Sequence, residues 1–281
     1  MQIAIVAHPR KAEAPAALRR VREILHRRGI DTVLEEATAA LLGESGVAKF
    51  WEGADLVISL GGDGTLLETL HRMGGCEAPV AGVNIGTLGF LTTCTDEEIE
   101  ACAEVLEKGT YEVSERSVLK VRMVEENNGE QEFLALNEVV LMRGETGRLV
   151  SLEARVDGEL LNHYRADGLI VATPTGSTAY NLAAGGPLIS PRAGVFVISP
   201  ICPHSLSNRA LVVDDGSVVE IGHGGKNAEP ILFTVDGRDV LRLARGSVVR
   251  VEKAPRPLCL VRMPDHSFYE TLRKKLRWFG G

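Results

Sequence analysis

A glycine-rich turn with a single carboxylate is the place where this sequence could carry out chemistry. The strand-like run Asp55–Leu60 leads directly into Gly61-Gly62-Asp63-Gly64-Thr65, and a helical pattern follows. Glycines let a phosphate approach the backbone, and a helix N-terminus favours negative charge. Because Asp63 would repel a phosphate, its presence indicates a chemical task. It could accept a hydroxyl proton during phosphoryl transfer, or it could hold a metal ion.

A purely structural interpretation of the same turn is a tight bend in which Asp63 caps the helix. Two familiar nucleotide sites are excluded, because the sequence has no G-x-x-x-x-G-K-[ST] and no G-x-G-x-x-G after its first strand. Cys202 and His204 are too few for a metal site. The five cysteines are widely spaced without a C-x-x-C, which argues against a disulfide framework and a thiolate zinc site.

Further polar residues lie at the ends of predicted elements. Asn137-Glu138 follows a strand-like run, and Ser177 and Thr178 begin a predicted helix, so their hydroxyls and the free N–H groups could bind a ligand. Tyr180 has an apolar face and a polar tip, which suit a base or a ribose. Strand-end polarity, ordinary N-capping and a core tyrosine explain the same residues equally well.

Five segments, taken in order, resemble the NAD kinase family of the bacterial type, over roughly residues 1 to 262. The glycine motif alone is weak, because it recurs in diacylglycerol-kinase-like and phosphofructokinase-like enzymes. The Thr173–Tyr180 block together with the Asn-Glu pair is highly specific. The segments are Gly61–Thr65, Asn84–Leu91, Asn137-Glu138, Asp167–Pro187 and Ser199–Arg209.

The resemblance implies an enzyme that transfers the terminal phosphate of ATP to the 2′-hydroxyl of the adenosine ribose of NAD, producing NADP. It also implies a divalent cation, Mg²⁺, as cofactor, a homodimer or homotetramer, and a cytoplasmic location. The rival functions are a lipid or sugar kinase that shares the glycine turn, and a non-catalytic NAD(P) sensor built on the kinase fold.

The resemblance also assigns roles to matching positions. Asp63 would activate the ribose hydroxyl. Glu68 departs from the pattern, because many family members carry a basic residue there. A divalent cation is therefore more necessary to neutralise the donor phosphates, and Arg or His71 nearby could substitute for the missing basic residue. The substrate-binding positions implied are Gly64, Phe90, Asn137, Glu138, Arg148, Arg165, Asp167, Thr178, Ala179, Tyr180, Asn181, Leu182, Ala183 and Arg238.

The elements that position these residues fall into two groups. Residues 1–112 alternate strands and helices, which predicts an α/β nucleotide-binding domain with a Rossmann-like parallel sheet. Residues 113–255 carry short strand-like runs and turn signals, which predict a β-rich NAD-binding domain, and the segment of about 256–281 is expected to pack back on the first domain. Three particular predictions are a capping box at Thr95–Glu98 that opens a helix to Lys108, one strand at Phe133–Met142, and one helix at Ser177–Ala184.

Composition agrees with a globular protein. The chain has 281 residues, of which 44% are hydrophobic and 25% charged, and its formal charge of 31 − 38 = −7 disfavours nucleic acid and anionic membranes as partners. The N-terminal run Met1–Pro9 predicts a first strand and not a signal peptide, and no stretch is apolar enough for a membrane span.

Overall fold

The computed structural model describes residues 1–75, 78–86, 89–125, 129–144, 147–224, 230–264 and 266–278. The chain forms two compact units. The first consists of Met1–Glu115 together with Leu258–Gly281, and the second consists of Arg116–Pro257. Among the described helices, none combines the length and the apolar character needed to span a bilayer.

The first unit is built on a seven-stranded sheet. Its strands are β1 (Gln2–Ala7), β2 (Asp31–Leu34), β3 (Leu56–Gly61), β4 (Val80–Asn84), β5 (Cys94–Thr95), β6 (Glu112–Arg116) and β19 (Leu258–Arg262). The order is β2-β1-β3-β4-β19-β6, with β5 beside β4. The pairs β1–β2, β1–β3 and β3–β4 are parallel, so their carboxyl ends lie at one edge of the sheet.

Four helices pack against strands of this sheet, α1 (Ala14–Arg27), α2 (Glu36–Ala40), α3 (Asp63–Met73) and α4 (Ile99–Lys108), and the same unit also contains α6 (Phe268–Leu276). In α1, Leu18, Val21 and Leu25 recur at helical spacing and are buried in the core with sheet residues such as Ile5. The helix is followed by Gly29 at φ +71°, a left-handed conformation that suits glycine at a helix end.

The second unit consists of two antiparallel sheets of six strands. One has the order β11-β10-β15-β18-β7-β8 and the other β14-β13-β12-β9-β16-β17, and inward-facing residues of both sheets share one hydrophobic core. The strands are β7 (Leu119–Glu125), β8 (Gly129–Ala135), β9 (Glu138–Arg143), β10 (Val150–Val156), β11 (Glu159–Ala166), β12 (Gly168–Ala172), β13 (Val195–Ile201), β14 (Leu211–Asp214), β15 (Val219–His223), β16 (Ile231–Val235), β17 (Arg238–Leu243) and β18 (Val248–Lys253). The predicted fold class, an α/β domain followed by a β-rich domain, is confirmed.

Three predicted elements differ in detail. The run Phe133–Met142 is two strands, because β8 pairs with β7 in one sheet whereas β9 pairs with β12 and β16 in the other. The predicted helix Ser177–Ala184 is a 3₁₀ turn, Gly176–Thr178, followed by the short α5 (Tyr180–Ala183), with a break at Ala179, where ψ is −130°.

The helix predicted to open at the Thr95 capping box begins later, at Ile99. Thr95 belongs to β5, and the Glu98 carboxylate accepts hydrogen bonds from its N–H at 2.8 Å and its hydroxyl at 2.9 Å. The carboxylate half of a capping box therefore forms, but it closes the turn that precedes the helix.

Candidate active site

A cavity of about 710 Å³ lies at the carboxyl ends of three neighbouring strands of the first unit. The segments that follow β1, β2 and β3 supply its lining. Ligands of open α/β sheets bind at this edge, because the loops and helix N-termini converge there. The polar residues and glycines of the lining include His8, Arg10, Lys11, Glu35, Gly64, Thr65, Glu68 and Arg72.

Asp63 is the first residue of α3, and backbone groups of another loop fix its carboxylate. Its two oxygens accept hydrogen bonds from the N–H groups of Phe90, at 2.9 Å, and Leu91, at 3.0 Å. A Cβ atom at Gly89 would overlap this carboxylate, so glycine is needed for the close approach. The predicted positions Asp63, Gly64 and Phe90 therefore lie together, whereas Thr87 and Leu88 of the same motif lie outside the described residues.

Lys11 and His8, which both follow β1, contribute to the cavity: Lys11 supplies a positive charge, and His8 holds the backbone turn that carries it. Lys11 Nζ donates to the carbonyl oxygens of Gly61, at 3.2 Å, and Ile85, at 3.0 Å. These two bonds use two of the three ammonium donors, which leaves the third for a ligand. His8 Nδ1 accepts from the backbone N–H groups of Arg10 and Lys11 and thereby holds the turn that carries the lysine.

Glu68 belongs to an ion-pair network with Arg72 and Glu35. Arg72 Nε lies 2.9 Å from Glu68 Oε1, and Arg72 Nη1 lies 2.5 Å from Glu35 Oε1. Burial opposes the ionisation of Glu35, but hydrogen bonds from Ala37 and Thr38 and the charge of Arg72 outweigh it and lower the pKa of Glu35. Arg72 offsets only one of the two negative charges of Glu35 and Glu68, so an anion in the cavity needs further positive charge nearby.

Asn137 and Glu138 of the second unit stand where the chain passes from one sheet to the other. Glu138 is 5% exposed, and its Oε2 has no hydrogen-bond partner among the described residues. Burial and the nearby charge of Asp236 raise the pKa of Glu138 to about 8, against a smaller opposing effect of a hydrogen bond from the Tyr180 N–H. An orphaned oxygen on a buried carboxyl group is costly unless a ligand completes its hydrogen bonding.

The Thr178–Ala183 segment divides between exposed and internal roles. Tyr180 is exposed, and its backbone lies beside Glu138. Asn181 is fully buried; its side chain accepts from Ser199 Oγ at 2.6 Å and donates to the Pro187 carbonyl at 3.1 Å, so it braces the fold. Thr178 Oγ1 donates to the Thr175 carbonyl at 3.1 Å, and Ala179, Leu182 and Ala183 complete the segment.

Of the two interpretations open for the Ser177 hydroxyl, ligand binding or a structural role, the structure favours the structural one. The side chain is fully buried, donates to the Pro174 carbonyl at 2.6 Å and accepts from the Ile189 N–H at 3.0 Å. Both bonds remain inside the protein, so this hydroxyl braces the turn.

The four remaining predicted positions are on strand ends and turns. Arg165 is exposed on β11, and Asp167, between β11 and β12, lies 2.7 Å from Arg143 Nε. Arg238 opens β17 and is half-buried, and Arg148 is exposed on the segment before β10. Since Arg143 holds the Asp167 carboxylate, Arg143 is a neighbour of the predicted site that sequence reasoning did not identify.

Comparison with known proteins decides the family. Residues 3–111 match the ATP-NAD kinase N-terminal domain, and residues 136–263 match the ATP-NAD kinase C-terminal domain. The chain belongs to the NAD kinase family. It is 40% identical over 259 residues to an NAD kinase of Geotalea daltonii, covering 91% of each chain, and 40% identical over 281 residues to that of Chlorobium luteolum, covering 99% and 97%.

Solved structures agree with the family. Yeast NADH kinase complexed with NADH matches with a TM-score of 0.90 at 25% identity, covering all of this chain and 88% of that one. An NAD kinase from Archaeoglobus fulgidus in complex with ATP matches with a TM-score of 0.78 at 27% identity, and each chain is covered fully.

Sequence reasoning about this NAD kinase family member did not identify Arg10 and Lys11 in the cavity. A usable signal existed, because both residues follow β1 directly, and residues after the carboxyl ends of parallel strands line the ligand crevice. Arg72 was foreseen only as an arginine near Glu68, since its two carboxylate partners are four and 37 positions away along the chain.

Proposed function

We propose that this chain transfers the terminal phosphoryl group of ATP to the 2′-hydroxyl of the adenosine ribose of NAD, with Asp63 accepting the hydroxyl proton. The observation that carries this assignment is the Asp63 carboxylate itself. It lies at the N-terminus of α3, is fixed by the Phe90 and Leu91 N–H groups, and stands beside a cavity whose lining includes Arg10 and Lys11. A general base must be held within hydrogen-bond reach of its substrate proton, and such bases contribute roughly 10²- to 10⁴-fold in rate.

The cavity beside Asp63 is the proposed donor site. Lys11 and Arg10 supply positive charge, and the N-terminus of α3 supplies backbone N–H groups for phosphate oxygens. Thr65 Oγ1 is buried and has no hydrogen-bond partner among the described residues. A ligand that accepts from this hydroxyl would satisfy it.

Residues of this cavity also fit a divalent cation. Thr65 Oγ1 and the Glu68 carboxylate are oxygen donors, the ligand type that Mg²⁺ prefers, and Mg²⁺ is usually held by one or two carboxylates together with substrate phosphates. We propose that these two groups would hold the cation that accompanies ATP. When bound, it would neutralise charge on the phosphates during transfer.

The acceptor dinucleotide is proposed to bind through the second unit. Glu138 offers a buried, incompletely bonded carboxyl group, and Tyr180 offers an exposed ring. Asn137, Thr178, Arg165, Asp167, Arg148 and Arg238 are proposed as further contacts on the strength of the family resemblance. Asn181 is proposed to support this surface from within, since its side chain is committed to Ser199 and Pro187.

The decisive experiment compares Asp63→Asn with Asp55→Asn in an assay that contains ATP, Mg²⁺ and NAD and detects NADP with an NADP-specific dehydrogenase. Asp63→Asn removes the base, so kcat should fall by about 10²- to 10⁴-fold while NAD affinity is largely kept. Asp55 stands before the same strand and accepts from the Gln2 N–H at 2.7 Å, so its variant controls for the loss of an aspartate that binds backbone. Near-normal turnover of Asp63→Asn would remove this residue from the chemistry.

Two further measurements on the unmodified chain separate the rival functions: ATP-dependent phosphorylation of a lipid or sugar, and binding of NAD. Phosphorylation of a lipid or sugar in place of NAD would identify the first rival, and NAD binding without turnover in the unmodified chain would identify the sensor. A cytoplasmic location and assembly as a homodimer or homotetramer complete the proposal.

A further inference from the structure

We propose that Asp236 is a positioning residue that fixes the Asn137–Glu138 corner for dinucleotide binding. The inference rests on the proposed function, because it takes these two residues to contact NAD. Asp236 lies about one hundred positions further along the chain, in the turn between β16 and β17. It is 8% exposed and therefore buried.

The carboxylate of Asp236 binds three consecutive backbone N–H groups. Oδ2 accepts from Leu136 at 2.9 Å, and Oδ1 accepts from Asn137 at 2.8 Å and from Glu138 at 3.1 Å. The Asp236 N–H in turn donates to the Glu138 carbonyl at 2.9 Å. These three residues lie where the chain leaves β8 for β9, so ladder partners alone do not hold the corner.

A second segment secures the carbonyl side of the same corner. Thr173 Oγ1 donates to the Leu136 carbonyl at 2.5 Å, and the Thr173 N–H donates to the Asn137 carbonyl at 2.9 Å. A Cβ atom at Gly176 would overlap the Asn137 carbonyl group, so this segment packs directly on the corner. The corner is thus bound on its N–H side by Asp236 and on its carbonyl side by Thr173.

Asp236 also affects the electrostatics of Glu138. Its negative charge acts together with burial to raise the pKa of Glu138 to about 8, and the Tyr180 N–H from α5 acts in the opposite direction. An aspartate that served only to close the turn would bind the backbone without any effect on the pKa of Glu138. Asp236 both holds the backbone that carries Glu138 and influences when the Glu138 carboxyl group ionises.

Asp236→Asn tests both effects in the full-length chain. The amide keeps one oxygen acceptor but loses the charge, so we expect KM for NAD to rise by about tenfold while kcat changes much less. The midpoint that Glu138 contributes to the pH profile of kcat/KM for NAD is identified by its loss in Glu138→Gln. In Asp236→Asn this midpoint should move down by about one pH unit, because a like charge near Glu138 is gone. Asp236→Ser, which is also uncharged and offers a short acceptor, is the second variant if the first does not fold.

Asp157→Asn is the matched control. Asp157 has positive φ in another Asp-Gly turn, and its carboxylate accepts from the Val218 N–H at 2.8 Å, away from the proposed site. We expect its KM and pH midpoint to match those of the unmodified chain. A lower melting temperature for the Asp236 variants, with KM and midpoint unchanged, would overturn the inference and leave Asp236 a structural turn residue. Unchanged NAD affinity in Glu138→Gln would instead contradict the proposed function.

Discussion

At the scale of single residues, Lys11 is the group whose removal separates donor binding from acceptor binding. Lys11→Met should raise KM for ATP by about 10- to 100-fold, because a charge-assisted contact to a phosphate contributes about 1.5–3 kcal/mol. KM for NAD should change much less. Steady-state kinetics with each substrate varied in turn measures both values.

Lys49→Met is the control for Lys11, since Lys49 belongs to the same unit and forms an exposed pair with Glu52 at 3.0 Å. It should leave both KM values unchanged. If Lys11→Met lowered the melting temperature and left KM for ATP unchanged, Lys11 would be only a link between the carbonyls of Gly61 and Ile85.

Glu138 makes the stability of the ligand-free chain depend on pH. Burial and the charge of Asp236 raise its pKa from the ordinary 4.5 to about 8, so between these pH values the folded state holds a proton that the unfolded state releases. The free energy of unfolding therefore falls as pH rises through this window, by on the order of 5 kcal/mol at most. Glu138→Gln removes the dependence.

Urea unfolding at pH 5 and pH 8.5 checks this prediction. Relative to the unmodified chain, Glu138→Gln should gain stability at the higher pH, and this relative gain should be absent at the lower pH. Glu132→Gln, which alters an exposed carboxylate paired with Lys120, should show no such trend. A constant difference between Glu138→Gln and the unmodified chain across this range would show that Glu138 does not titrate inside it.

At the scale of elements, the sequence predicts those strands that hydrophobic periodicity and turn residues mark locally. The strand-like runs expected in residues 113–255 include β10 and β16, whose alternating burial follows the period of two that marks a strand locally. The split of β8 from β9 was missed, since the strands that pair with each, and the Asp236 carboxylate that binds the corner between them, are distant in sequence. The candidate site shows the same division: Asp63 is visible in a local motif, whereas the partners of its carboxylate become neighbours only after folding.

Gly64 and Gly176 differ in what surrounds them: open space lies around Gly64, whereas protein backbone lies against Gly176. Around Gly64 an added Cβ would meet no atom within 4 Å, whereas at Gly176 it would overlap the Asn137 backbone. Gly64→Ala should leave the melting temperature unchanged or slightly raised, yet raise KM for substrate, because the methyl group occupies space proposed for the ligand. Gly176→Ala should lower the melting temperature, because backbone cannot move aside. Calorimetry and kinetics on both variants decide, and unchanged kinetics in Gly64→Ala would place the ligand elsewhere.

At the scale of the whole molecule, charge is distributed unevenly. The chain carries a formal net charge of −7, although its proposed substrates are anions. The donor cavity nevertheless gathers Arg10, Lys11 and Arg72 next to the N-terminus of α3, and these three cations outnumber the two carboxylates of its lining, Glu35 and Glu68. A local positive field from a few cations and a helix end can therefore bind an anion within a protein of the same overall sign.

The proposed assembly predicts a mass in solution of two or four times the 30.3 kDa of one chain. Leu206 is 90% exposed, and Val212, which is 44% exposed, lies on β14, at the edge of its sheet among the described strands. Exposed apolar groups beside a free strand edge favour pairing with a second copy. Val212→Lys should therefore shift the mass measured by light scattering toward one chain, because an edge lysine opposes strand pairing. Val248→Lys, on the interior strand β18, should not, and an unmodified chain that scatters as a monomer at micromolar concentration would contradict the assembly.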